Sequence, residues 1–279
     1  MTRLIHLSDL HFGRTDPALA GPLLRTIARQ EPTLVVISGD FTQRARPGQF
    51  EKAKAFVAAI EATETPVLSV PGNHDTPLYN LFMRWLMPYA RYKRAISRDL
   101  EPTFETPEMR VVGINTVNPF AWQSGKLSAR HISRAMEHFG EDDGRLRIAV
   151  LHHPLQQPPT LDKPKTRGAK AALAALSAAG ADLVLSGHLH NAQAVPFTQV
   201  PGVLFVQAGT ALSTRTRGTP NTFNQIDLKP DGTLSVTVWS ATEGDGFLPG
   251  PPHSYMQGGT GWTMRQGQEF ASAPLRAPL

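Results

Sequence analysis

Cysteine is absent from all 279 residues. That excludes disulfides, thiolate zinc sites and cysteine nucleophiles, so any metal must sit on His, Asp, Asn or Glu, and it accords with a reducing cytoplasm. No run reaches the roughly 18 consecutive apolar residues that a membrane-spanning helix needs. Residues 1–11, M-T-R-L-I-H-L-S-D-L-H, carry only a short apolar stretch broken by His6, Asp9 and His11, which does not read as a signal peptide. A cytoplasmic location is therefore expected. Charge excess is also small: a formal +5 favours anionic substrates but falls short of the clustered basic stripe that a stable nucleic-acid partner wants.

What is present is organised around residues 67–75, V-L-S-V-P-G-N-H-D. The Val-rich start reads as a buried strand, and Pro71-Gly72 stops it with a turn that delivers Asn73, His74 and Asp75 together. A carbonyl oxygen, an imidazole and a carboxylate at a strand's C-terminal end suit a metal or phosphate site in an α/β sheet. Ordinary turn and cap chemistry uses the same residues, so the triplet alone leaves both readings open.

The rest of the chain repeats the arrangement. Residues 4–7 form a first strand ending in Asp9 and His11, which share one side if the segment is extended. Helical patterns at 17–30 and 49–62 alternate with strands at 34–37 and 67–70, and the strand at 34–37 ends in Gly39-Asp40. This order predicts right-handed parallel crossovers with a site at the strand C-termini. Strands at 147–151 and 183–185 end in His152-His153 and in His188 and His190, while 103–105 and 109–115 give further strands and 128–139 and 168–179 helices. Residues 203–206, 223–228 and 234–239 read as a hairpin-like ending, and 241–279 as a Gly/Pro-rich arm or tail. Residues 77–98 break the rhythm. They read as an amphipathic helix, broken at Pro88, that packs on the core with a solvated basic face, or else as a cap or membrane-surface element.

The ordered blocks Asp9-Leu10-His11, Gly39-Asp40, Gly72-Asn73-His74-Asp75, His152 and Gly187-His188-Leu189-His190 resemble the signature of the calcineurin-like metallophosphoesterases, D-x-H, G-D, G-N-H-[DE], H, G-H-x-H. The resemblance covers roughly residues 4–239. It implies an α/β fold, a four-layer αββα sandwich of two mixed β-sheets flanked by helices, with residues 1–240 as the domain and 77–98 as a cap-like insert. It also implies two metal ions, one held by Asp9, His11 and His190, the other by Asn73, His152 and His188, with Asp40 bridging. Such oxygen and imidazole ligands accept Mn, Fe, Zn, Co or Ni, with Mn or Fe favoured.

Within the family, the phrasing is similar to that of bacterial cyclic-nucleotide and glycerophosphodiester phosphodiesterases. That implies a small phosphodiester substrate attacked by a hydroxide formed from a bridging water, with His74 protonating the leaving alkoxide or binding a phosphate oxygen and Asp75 orienting its ring. His153 is expected behind the ligands or at the substrate, and Arg215 and Arg217 are candidates to reach a substrate phosphate. The insert is similar to the helical cap of UDP-diacylglucosamine pyrophosphohydrolases, which supplies an alternative activity; a nuclease and a non-catalytic scaffold are the further alternatives. Peripheral membrane contact through 77–98 and a homodimer are the expected partner roles of the insert and arm.

Overall fold

Leu34, Val35, Val36 and Ile37 are all fully buried, as a strand covered on both faces must be. In the computed structural model, which describes residues 1–158, 163–216, 218–244 and 246–265, their side chains alternate between two cores. The elements run β1 (Thr2–Leu7), α1 (Ala20–Gln30), β2 (Leu34–Ile37), α2 (Pro47–Glu61), β3 (Val67–Ser69), α3 (Leu81–Leu86), α4 (Ala90–Ala95), β4 (Thr103–Glu105), β5 (Met109–Ile114), α5 (Ala129–Phe139), β6 (Leu146–Leu151), α6 (Ala169–Ala178), β7 (Leu183–Ser186), β8 (Gln193–Pro196), β9 (Leu204–Gln207), β10 (Thr222–Leu228), β11 (Leu234–Thr242), β12 (Gly246–Pro249), β13 (His253–Gly258) and β14 (Gly261–Met264).

Two mixed sheets result. One has the order β14-β13-β11-β10-β1-β2-β3, with β12 also on β11; the other runs β4-β5-β6-β7-β9-β8. Leu34 and Val36 face Ile148, Val150, Leu183 and Leu185 between the sheets. Val35 and Ile37 face Leu23 and Ile27 of α1 and Phe50 and Phe56 of α2 on the outer side. Ala149 and Leu151 face Ile132, Phe139, Leu173 and Leu176 of α5 and α6 on the opposite side. The layers are therefore helix, sheet, sheet, helix, as expected, and each fully buried aliphatic side chain contributes about 1.5–3 kcal/mol by leaving water. The parallel sets β1-β2-β3 and β5-β6-β7-β9 bring their carboxyl ends to one edge of the sandwich.

The C-terminal segment departs from the expected arm. Residues 246–264 extend the first sheet as β12, β13 and β14. Abundant Gly and Pro conceal buried anchors: Phe247 packs on Phe223 with ring centroids 5.4 Å apart, Tyr255 donates its hydroxyl to the Ala194 carbonyl at 2.7 Å, and Trp262 is buried. Gly258 pairs with Gly261, so two residues close the last hairpin. The remainder of the expected arm, 266–279, lies outside the described residues.

The insert departs as well. Pro88 does separate α3 from α4, and Tyr92 of α4 is buried with its hydroxyl donating to Ser69 Oγ at 3.1 Å. In α3, however, Leu81, Phe82, Trp85 and Leu86 are exposed and Arg84 is buried. The Arg84 guanidinium donates to the carbonyls of Pro119, Ala121 and Pro77 and to Thr76 Oγ1. Charge-assisted bonds to that many fixed acceptors turn the basic residue inward and the hydrophobic face outward.

Candidate metal centre

Asp9, His11, Asp40, His188 and His190 sit just beyond strand ends with φ of 51°, 51°, 55°, 70° and 64°. Non-glycine residues rarely enter this left-handed region; each such conformer costs of order 1–3 kcal/mol and persists where its surroundings over-determine it. Asp9 and His11 therefore converge through successive left-handed turns, and not as alternate residues of an extended strand. Backbone bonds carry the β1–β2 register past the strands: Asp9 N–H to Gly39 O at 3.1 Å, His11 N–H to Asp40 O at 2.9 Å and Phe12 N–H to Phe41 O at 2.8 Å. Two glycines let neighbouring turns touch. A Cβ on Gly72 would overlap the Asp40 amide and carboxylate, and one on Gly187 would overlap Ser8 Oγ.

Five of the candidate side chains are anchored at one atom and turn another toward the cluster. Asp9 Oδ2 accepts from Ser8 Oγ at 2.8 Å and from the His188 amide at 2.9 Å, which leaves Oδ1. Asp40 Oδ1 accepts from the His74 amide at 2.8 Å, which leaves Oδ2. His152 Nδ1 donates to Ser38 O at 2.7 Å and His190 Nδ1 to Arg215 O at 3.1 Å, which turns each Nε2 toward the cluster. Asn73 Nδ2 donates to Trp122 O at 3.2 Å, turning Oδ1 toward His152 Nε2, also at 3.2 Å.

The free atoms form two adjoining groups. Asp9 Oδ1 lies 3.1 Å from His190 Nε2 and 3.5 Å from His11 Nε2, and the two Nε2 atoms are 3.3 Å apart. Ligands held about 2.0–2.2 Å from one ion stand about 3.0–3.6 Å from each other, so the spacing fits a coordination shell. The second group gathers Asn73, His152 and His188 with His153 alongside. Asp40 Oδ2 belongs to both, 3.7 Å from His11 Nε2 and 3.4 Å from His152 Nε2.

These side chains fit cations for a reason internal to the protein. Asp9 Oδ1 and His188 Nε2 are buried without a hydrogen-bond partner, a state that costs about 1–3 kcal/mol per group. Burial alone would raise the pKa of Asp9 and of Asp40, yet the neighbouring imidazoles outweigh it and hold both carboxyls well below the usual range. At His152 burial is the largest single influence and acts downward, but the charge and hydrogen bond of Asp40, the Asp9 charge and the Ser38 carbonyl together outweigh it and raise the ring to about 9. A proton there occupies the place a metal would take, and metal binding would release it.

Residues 2–192 match the family model described as calcineurin-like phosphoesterase. The chain belongs to that family. It is similar to a probable cyclic nucleotide phosphodiesterase of Synechococcus, 24% identical over 259 residues that cover 86% of this chain and 93% of the relative. It is also similar to a glycerophosphodiester phosphodiesterase of Enterobacter lignolyticus, 30% identical over 174 residues, 54% of this chain and 56% of the relative. A dimetal phosphatase from Danio rerio shares the fold with a TM-score of 0.64 at 13% identity, covering 89% of this chain and 98% of that one. The chain is accordingly a metal-dependent phosphoester hydrolase of a family that uses dinuclear centres.

Around the phosphoesterase centre, several residues differ from expectation. His74 stands edge-on to His11 with ring centroids 4.9 Å apart, but Asp75 does not orient it. The His74 Nδ1–H donates to the Gln43 carbonyl at 2.8 Å. Asp75 instead accepts from the amides of Gly72, Phe41 and Thr42 and from Thr42 Oγ1, tying the β2 and β3 turns together. Burial, with the Asp40 charge adding to it, pushes the Asp75 carboxyl up to about 7, while those donors favour its ionised form. His153 is buried against His188 with Nδ1 bonded to Thr116 Oγ1 at 2.8 Å, and its unpartnered Nε2 belongs with His152 and His188 in the second group. Arg215 serves His190 through its carbonyl, and its guanidinium charge helps depress His74. Arg217 lies outside the described residues. The carbonyls of Gln43, Trp122 and Arg215 carry no side-chain signature, which is why spacing and composition do not reveal them.

Proposed function

We propose that this phosphoesterase is a dinuclear phosphodiesterase acting on small diesters such as 3′,5′-cyclic nucleotides or glycerophosphodiesters. The observation that carries the reading is Asp40 Oδ2, which lies 3.7 Å from His11 Nε2 in one group and 3.4 Å from His152 Nε2 in the other. Asp9, His11 and His190 would hold one ion and Asn73, His152 and His188 the other, with Asp40 shared between them; manganese or iron would suit this mixture of carboxylate, amide and imidazole. When bound, such a pair supplies Lewis-acid charge at the phosphoryl oxygens and lowers the pKa of an attacking water.

The protein's own groups do the rest. With only the carboxylates of Asp9 and Asp40 set against two divalent ions, about +2 of net charge remains to draw in an anionic ester. His74, fixed through Nδ1, presents Nε2 to the leaving oxygen. Burial, chiefly, holds its pKa below the ordinary histidine value. An anionic ester beside the ring favours the imidazolium and so equips Nε2 with the proton that an alkoxide needs. The names of the relatives support diesters as the substrate class. A cytoplasmic site of action suits those substrates and a chain without cysteine.

The test compares bis(p-nitrophenyl) phosphate with p-nitrophenyl phosphate on chelator-stripped protein reloaded with manganese, followed by 3′,5′-cyclic AMP and glycerophosphocholine. Diester cleavage should be faster by an order of magnitude or more. His74→Ala should cost about 10²–10⁴-fold on the alkyl diesters and less on the p-nitrophenyl ester, whose leaving group needs no proton. Faster cleavage of the monoester, or none of any diester, overturns the reading.

A further inference from the structure

Beside the metal centre the chain exposes side chains that a protein surface ordinarily covers. Leu81, Phe82, Trp85 and Leu86 occupy positions i, i+1, i+4 and i+5 of α3 and so share one face. Phe82 and Trp85 are 68% and 57% exposed, and Phe120 and Trp122 of the neighbouring turn are 78% and 58% exposed. Arg84 makes one ridge of the two segments: its guanidinium donates to the Pro119 and Ala121 carbonyls at 2.6 Å each and lies 5.4 Å from the Trp122 ring centroid. The ridge adjoins the centre, because the Trp122 carbonyl holds the Asn73 amide.

Charge indicates what covers it. Residues 77–98 contain Arg84, Arg91, Lys93, Arg94 and Arg98 and no Asp or Glu. Lys93, Arg94 and Arg98 are exposed, and Arg44 lies over the exposed Tyr79 ring at 5.2 Å. Exposed aromatic and leucine side chains in a segment whose charged residues are all cations match the headgroup region of an anionic bilayer, where Trp and Tyr settle and Lys and Arg meet phosphate. A second copy would set the same uncompensated cations face to face, which opposes self-association through this ridge.

We propose that the ridge formed by α3 and residues 118–122 seats the enzyme on an anionic lipid surface, with the metal cleft opening at headgroup level. This docking does not depend on which ester the centre cleaves. The full chain, loaded with manganese, is sedimented with phosphatidylcholine vesicles and with phosphatidylcholine/phosphatidylglycerol vesicles. It should partition at least tenfold more strongly onto the anionic ones, with a blue shift in tryptophan emission from Trp85 and Trp122. A Phe82→Ser/Trp85→Ser variant should lose at least tenfold in partitioning and keep its hydrolysis of bis(p-nitrophenyl) phosphate without vesicles. At about fivefold per cation near anionic lipid, Lys93→Gln/Arg94→Gln/Arg98→Gln should lose about a hundredfold. Equal partitioning of all variants, or no sedimentation with either vesicle, overturns the proposal even if diester hydrolysis is intact. A wild-type dimer abolished by Phe82→Ser/Trp85→Ser would give the ridge to a second copy instead. Lipid binding without hydrolysis would leave docking standing and remove the phosphodiesterase reading.

Discussion

The floor of the cleft is buried and anchored many times over, whereas its rim is exposed and hung on one side chain. On the floor, Asp9, His11, Asp40 and His152 have almost no exposure, and backbone amides, carbonyls or a serine hydroxyl hold three of them from behind. That redundancy is what lets left-handed residues persist there. At the rim, α3 reaches the 118–122 turn through Arg84, and its hydrophobic face is left to solvent. Rigidity is concentrated where ligand atoms must be placed, and apolar exposure where a surface is met.

The contrast predicts that the two regions fail separately. Arg84→Leu should cost about 3 kcal/mol in unfolding free energy, because several acceptors lose a charged donor, while the metal content of the floor is unchanged. Equilibrium denaturation beside elemental analysis checks this; loss of metal together with the rim would erase the distinction. Asp75→Asn should cost about 1–3 kcal/mol, since an amide NH₂ must face a backbone donor, yet leave the kcat for alkyl diesters far above that of His74→Ala. A loss as large as that of His74→Ala would restore Asp75 as the group that orients the ring.

A third effect, spread over pH, concerns His6, buried beneath the floor with Nε2 2.9 Å from Ser38 Oγ. Burial lowers its pKa from 6.5 to about 3, against which the Asp9 charge acts weakly. The unfolded chain therefore binds the extra proton between those values, and the stability of metal-free protein falls as pH drops below about 6.5, by up to about 1.4 kcal/mol per pH unit from this group. His6→Gln should flatten the dependence by that one-proton slope, read from chemical denaturation across the window. An unchanged slope would mean that His6 takes up its proton while folded.

The candidate ligand blocks are legible in the sequence because each couples a strand end to a metal-competent side chain, mostly through a glycine, and the fold brings those ends to one edge. The physical reason for their convergence is not legible: alternation along an extended strand predicts a shared side for Asp9 and His11, but left-handed turns produce it. Nor does local pattern show which way α3 faces, since Arg84's acceptors lie about 35 residues away, at Pro119 and Ala121. In β12 to β14, Gly and Pro dilute the period of two, and the buried Phe247, Tyr255 and Trp262 act through partners elsewhere in the fold.

The central claim is a paired centre joined by Asp40. Its most direct test is the number of manganese ions retained per chain after gel filtration, for wild type and for Asp40→Ala, with diester hydrolysis followed as metal is restored. The account predicts two ions in the wild type, activity that rises with the second equivalent, and in the variant fewer ions with a loss of about 10³-fold or more. A wild type fully active with one ion, or an Asp40→Ala protein that keeps two ions and its rate, would contradict it.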